Sequence, residues 1–86
     1  MERNYETEYR ALVKETVRGT KIRGFVFGYT HEITERFFEE NQRRVFDLEH
    51  EAREKKQEIP LTRENLNLEI KLFELRTKMI YKSIFP

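Results

Sequence analysis

The chain has 86 residues, of which 38% are charged and 13% aromatic, and its formal net charge is +1. A chain this short hides only about 60% of its unfolded surface on folding, so we expect one domain, residues 1–86, with a thin core. The aromatic content excludes a disordered polyelectrolyte, and the balanced charge gives no large single-sign field.

The sequence contains no Cys, which excludes disulfides and thiol chemistry. This composition fits an intracellular, reducing compartment, either the cytoplasm or an organelle matrix. No stretch approaches the roughly 20 apolar residues of a transmembrane helix, so no transmembrane segment is predicted.

The first predicted helix covers about residues 2–18. Its apolar residues share one face at helical spacing, with charged residues elsewhere. These apolar residues are Tyr5, Tyr9, Leu12, Val13 and Val17. Gly19 follows directly and is a natural helix stop.

A connector rich in glycine and aromatic residues is predicted for residues 19–30. It holds all three glycines of the chain, Gly19, Gly24 and Gly28. The alternation of Phe25, Phe27 and Tyr29 is compatible with a strand, a loop or the start of a helix. We favour an irregular hydrophobic connector in which Phe25 and Phe27 are buried.

The second predicted helix runs over about 31–58, with Thr30 as its N-cap and Pro60 as its stop. Its apolar residues follow a near-heptad rhythm that Asn41 interrupts, which predicts a hydrogen-bonded polar residue in a coiled-coil-like seam. These apolar residues are Ile33, Phe37, Phe38, Val45, Leu48, Ala52 and Ile59.

Thr62 is the predicted cap of a third helix over about 62–84. Because the link at Pro60 is short, the second and third helices should form a long antiparallel helical hairpin. The predicted fold is therefore all-α, with three helices.

The third helix carries two apolar lines on opposite sides. One line holds Leu66, Ile70, Phe73, Ile80 and Ile84, and the other holds Leu68, Leu72, Leu75 and Met79. A surface helix of a soluble monomer normally has a single apolar face. The second line therefore predicts cover by another helix of this chain or by a second chain, and we assign the protein interface to Leu68, Leu72, Leu75 and Met79.

No catalytic, cofactor or metal site is predicted. His31 and His50 stand among carboxylates but lie about 100° apart around one helix, so a single ion cannot bridge them. Ser83 is the only serine, and the glycine spacing matches no phosphate-binding loop. We therefore predict that the protein is not an enzyme.

A basic run leads into the aromatic connector, and positive charge beside exposed rings is typical of single-stranded nucleic-acid binding. The candidate contacts are Lys14, Arg18, Lys21 and Arg23. The alternative function is thus a small nucleic-acid-binding regulator that uses residues 14–29.

Tyr9-Arg10 followed by Leu12, with Phe37 at a suitable remove, resembles the small three-helix mitochondrial proteins that carry an LYR motif. The sequence has Glu8 where that family has Leu. The resemblance implies an accessory or assembly subunit of a mitochondrial complex, which is a further alternative.

The function that we favour from the sequence is a non-enzymatic helical subunit that binds protein. It would act as a homo-oligomer or as a small accessory subunit of a larger complex, because the two-sided third helix needs two neighbours.

Overall fold

The computed structural model describes residues 3–85 and confirms the all-α prediction. Within that range the chain forms three helices and no strand: α1 (Tyr5–Phe27), α2 (Glu32–Glu54) and α3 (Arg63–Ile84). The predicted helix start at Glu2 lies outside the described residues. Asn4 caps α1, because its side chain accepts a hydrogen bond from the Thr7 backbone N–H at 3.0 Å.

Helix α1 is longer than predicted. The prediction of an irregular connector over residues 19–30 is wrong, because most of that segment is helical. The helix passes through Gly19 and Gly24 and ends at Phe27. The actual stop is Gly28, whose φ of 99° is accessible to glycine, and whose N–H bonds to the Gly24 carbonyl at 2.9 Å. A turn of only four residues then leads into α2.

The two glycines inside α1 make room for aromatic rings. A Cβ atom at Gly19 would collide with the ring of Phe37 on α2, and one at Gly24 would lie 2.5 Å from Cε1 of Tyr29. Glycine in a helix interior costs roughly 0.5–1 kcal/mol relative to alanine. The close approach of the two rings explains why glycine nevertheless stands at both positions.

Helix α2 begins and ends slightly inside its predicted range. Its N-cap is His31 instead of Thr30, and the His31 Nδ1 accepts from the Ile33 backbone N–H at 3.0 Å. It stops at Glu54 instead of residue 58, because Lys56 has a φ of 58° and the following Gln57 N–H reaches back to the Ala52 carbonyl at 2.8 Å.

Thr62 caps α3 as predicted, with its hydroxyl oxygen accepting from the Asn65 backbone N–H at 3.2 Å.

The helices run up, down and up. The guanidinium of Arg3, just before α1, bonds Glu51 near the end of α2 at 2.6 Å, so these two helices are antiparallel. Arg10 of α1 contacts Asn65 at the start of α3, and Lys78 near its end lies over Tyr29, so α1 and α3 run parallel.

Helix α1 is the central helix of this arrangement. It packs against both α2 and α3, whereas α2 and α3 nowhere bring their Cα atoms within 8 Å of each other. The second and third helices therefore run antiparallel, as the predicted hairpin requires. The close backbone contacts of each, however, are with α1 and not with the other.

The core lies between the three helices and is small. It consists of Tyr5, Tyr9, Val13, Phe38, Val45, Leu48, Ala52, Leu68, Leu72, Leu75 and Met79. Leu12, Val17, Tyr29 and Ile59 pack against it while half-buried. The predicted apolar faces of the first two helices therefore supply most of the core.

Candidate interaction surfaces

The four residues predicted as a protein interface lie in the core of their own chain. Leu68, Leu72, Leu75 and Met79 are at most 9% exposed and belong to the same cluster as Val13 and Val45. They are therefore covered within this chain and offer no surface to a second one. This is a correction to the sequence-based assignment.

The exposed line of α3 is the opposite one. Its large side chains keep between 45% and 66% of their surface in water. They are Leu66, Ile70, Phe73, Ile80 and Ile84. Together with Thr77 they recur at spacings of four and three residues, which is the rhythm of a coiled-coil seam.

A basic line runs along the outer side of α1. Lys14, Arg18, Lys21 and Phe25 follow one another at spacings of four, three and four residues, so they share one face of the helix. All four are exposed, and Phe25 is 91% exposed. The prediction that Phe25 and Phe27 are core residues is wrong, because α1 continues as a helix and turns Phe25 away from both of its neighbours.

Arg23, the fourth basic residue of the predicted nucleic-acid contact, points elsewhere. Its guanidinium stacks on the ring of Phe37, with 3.7 Å between the guanidinium carbon and the ring centroid. It also donates to the Gly19 carbonyl at 3.0 Å. Arg23 therefore serves the contact between α1 and α2, and the structure does not bring it into the line of Lys14, Arg18 and Lys21.

A polar network that the sequence analysis missed joins α1 to the start of α3. Asn65, which is buried, accepts from Arg10 Nε at 2.8 Å and donates to Glu6 Oε2 at 2.8 Å and to the Pro60 carbonyl at 2.9 Å. Residue type does not distinguish Asn65 from the exposed Asn67. Its position on the same side of α3 as Leu68 and Leu72 is the one available signal.

Four residues carry the LYR resemblance, and all of them pack within the fold. Leu12 packs against the core, and the ring of Phe37 lies against Gly19. Tyr9 is buried in the core, and Arg10 bonds Asn65 as well as Glu6. The guanidinium of Arg10 could contact a partner only by giving up those bonds.

Asn41 is buried, and its Nδ2 donates to the Phe37 carbonyl one turn earlier at 2.7 Å. Its amide is thus hydrogen-bonded as expected, although the bond stays within α2. The close helix neighbour on this part of α2 is α1, as the contact between Phe37 and Gly19 indicates.

A cleft near the end of α2 is lined by two groups whose pKa values are raised, Glu49 and Tyr9. Its lining includes Tyr9, Glu49, Arg53, Asn65 and Glu69. Burial raises the pKa of Glu49, the charge of Glu69 raises it further, and Arg53 partly offsets both. Burial, with the charges of Glu49 and Glu69, also raises the pKa of Tyr9 to about 12.

Both histidines have local roles. His31 caps α2, and the Nε2 of His50 lies 3.1 Å from Glu54 Oε1 one turn later. Over residues 3–85 no three His, Asp or Glu side chains gather closely enough to hold a metal ion.

In the part of the chain that the structure describes, no helix has the length and apolar character needed to cross a bilayer. Comparison with protein-family models, with curated proteins and with solved structures gave no match for the chain.

Proposed function

We propose that the protein is a non-enzymatic helical subunit that binds another protein through the exposed line of α3. The observation that carries this proposal is that α3 buries one apolar line in its own core and leaves a second, equally regular line in water. Contiguous apolar patches on a soluble protein mark interaction sites. A partner helix is the natural occupant, because the spacing of the exposed line suits knobs-into-holes packing.

The charges beside the exposed line favour a partner with a different sequence. In a parallel pair of α3 helices, Glu69 of one copy would face Glu74 of the other. In an antiparallel pair with its centre at Leu75, Glu74 would face Glu74 and Arg76 would face Arg76. Like charges at these positions are destabilising, so self-association through this seam is opposed in both directions.

A photo-cross-linking residue placed at Phe73 tests the proposal. We expect a discrete protein adduct in the cells that produce the chain, and we expect Ile70→Ser to abolish it. The matched control carries the cross-linker at Lys71, which is exposed on a different side of α3. Equal adducts from both positions, or none from Phe73, would contradict the proposal.

The mass of the purified chain in solution separates the two kinds of partner. A monomer of 10.6 kDa is expected if the partner is a different chain. A multiple of that mass, reduced to the monomer by Phe73→Ser, would instead identify a second copy.

Nucleic-acid binding through residues 14–29 remains the second candidate. The exposure of Phe25 one turn from Lys21 favours it, whereas the engagement of Arg23 with Phe37 reduces the charge available. Retention on single-stranded nucleic acid that falls steeply with salt would support this candidate, because phosphate contacts release counterions.

A further inference from the structure

Exposed apolar side chains are concentrated at one end of the bundle, where α1 and α3 end and α2 begins. We call this end the tip. Of the fourteen large hydrophobic residues exposed in the described part of the chain, nine lie there. They are Ile22, Phe25, Val26, Phe27, Ile33, Ile80, Tyr81, Ile84 and Phe85.

The fold assembles the tip from segments far apart in sequence. The ring of Tyr29, just after α1, lies under the ammonium groups of Lys78 and Lys82, at 4.6 and 5.9 Å from the ring centroid. This contact places the last turns of α1 beside the last turns of α3. Neither segment alone gives the combined surface.

The tip is also basic on its α1 and α3 sides. Residues 16–29 and 75–85 contain six Lys or Arg residues and no Asp or Glu. Lys21, Lys78 and Lys82 are exposed among the apolar side chains. The acidic residues at this end belong to the first turn of α2, where Glu32 is paired with Arg36 and Glu35 is half-buried.

The combination of apolar and basic side chains at the tip allows three possible binding partners to be compared: a nucleic acid, a second copy of the chain and a lipid surface. Nucleic-acid bases stack on aromatic rings, but five of the nine apolar residues of the tip are aliphatic. A second copy placed tip to tip would bring two basic surfaces together. A lipid surface with anionic headgroups accepts both the aliphatic and the aromatic side chains, and its phosphates complement the Lys and Arg residues.

We propose that the tip binds an anionic lipid surface. Phe25 and Ile22, together with Tyr81 and Phe85, enter the boundary between headgroups and acyl chains. Lys21, Lys78 and Lys82 remain at the level of the phosphates, where their long side chains reach. The helices meet the membrane at their ends, and none of them crosses it. This binding goes beyond the proposed protein interaction, since the inserted residues come from the ends of α1 and α3 and none of them belongs to the exposed line of α3.

A tryptophan reporter tests the proposal directly, because the chain contains no natural Trp. Phe25→Trp should show emission shifted to shorter wavelength with vesicles of equal parts phosphatidylcholine and phosphatidylserine. The shift should be absent with phosphatidylcholine alone and should decline at high salt. Phe73→Trp is the matched control, since Phe73 is an exposed aromatic residue of the same bundle away from the tip, and its emission should not shift.

A pair of serine substitutions tests the contribution of the apolar residues. The double variant Ile22→Ser, Phe25→Ser should bind the same anionic vesicles about tenfold more weakly or worse, because two inserted side chains are lost. The control double variant Leu66→Ser, Ile70→Ser should bind vesicles like the parent, and with the cross-linker at Phe73 it should lose the protein adduct. Failure of lipid binding and failure of the protein interaction are therefore distinguishable.

Circular dichroism of each variant verifies that it is folded, and all four substituted residues are exposed in the parent. The proposal is overturned if the folded parent does not bind anionic vesicles, or if both double variants bind them equally well. Retention on single-stranded nucleic acid without vesicle binding would assign the tip to nucleic acid. A dimer that the tip variant converts to a monomer would assign it to a second copy.

Discussion

The two ends of the bundle are built from opposite kinds of residue. At the closed end, where α1 and α3 begin and α2 ends, polar side chains join the helices: Asn65 bonds Arg10 and Glu6, and Arg3 bonds Glu51. At the tip, large apolar side chains are exposed to solvent. Polar bonds between helices hold one end together, and the other end leaves apolar surface that the chain itself does not cover.

The largest effect on stability is expected at the closed end. Asn65→Ala should lower the free energy of unfolding by about 1–3 kcal/mol, because Arg10 and Glu6 lose their buried partner. Phe25→Ser at the tip should change it by no more than about 0.5 kcal/mol, since Phe25 is exposed. Urea unfolding of the two variants measures the contrast.

Asn67→Ala is the matched control for the Asn65 variant. Asn67 lies two residues further along α3 and is exposed. If the two alanine variants lost the same stability, the network around Asn65 would not be what holds the closed end together.

A gain in stability is expected in α1 near the tip. The hydroxyl of Thr20 is buried and has no hydrogen-bond partner among residues 3–85. Thr20→Val removes this unpaired group at nearly constant volume and should raise the free energy of unfolding by about 1 kcal/mol. Thermal unfolding followed by circular dichroism measures the change.

Thr34→Val is the counterpart of that variant. Thr34 is equally buried, but its hydroxyl donates to the Gly28 carbonyl at 2.8 Å. The same chemical change should therefore lower stability at Thr34. A loss at both positions would show that the Thr20 hydroxyl has a partner.

The smallest effect is a pH dependence at the closed end. The raised pKa of Glu49 means that the fold favours its protonated form. Protonated Glu49 therefore contributes to the stability of the fold. This contribution is fully present below the ordinary pKa of 4.5 and is lost as the pH rises through the raised pKa. Glu49→Gln should thus be more stable than the parent at neutral pH.

Melting curves across the acidic range check this sign. The difference in stability between parent and Glu49→Gln should shrink as the pH falls through the raised pKa toward 4.5, and should change no further below 4.5. Glu54→Gln, a substitution of an exposed carboxylate in the same helix, serves as the control. A difference that grows toward low pH would contradict the proposed cause.

Local signals in the sequence were enough to predict three helices and the link between the second and the third. Pro60 and Thr62 mark the link between α2 and α3, and the face of Tyr5, Tyr9 and Val13 is buried as its spacing predicts. Gly19 misled the prediction because a glycine that ends a helix looks the same in sequence as one that makes room for a ring. The ring belongs to Phe37 on another helix, so only the packed structure distinguishes the two roles.

For a similar reason, the sequence could not predict which apolar line of α3 faces the core. Its two apolar lines are comparable in size and share the same spacing, and helical periodicity carries no information on which line turns inward. The line that contains Leu68 and Leu72 is buried in the core, and the line that contains Ile70 and Phe73 is exposed. The existence of two lines was predictable, whereas the choice between them depends on how α3 docks.

The turn of four residues between α1 and α2 has a consequence for the order of folding. Closing so short a loop costs little chain entropy, and contacts that are near in sequence form early. We therefore expect α1 and α2 to pair first, with α3 docking last across the longer link at 55–62. In reverse, α3 should be the first helix to detach during partial unfolding, and its amide hydrogens should exchange with solvent faster than those of α1.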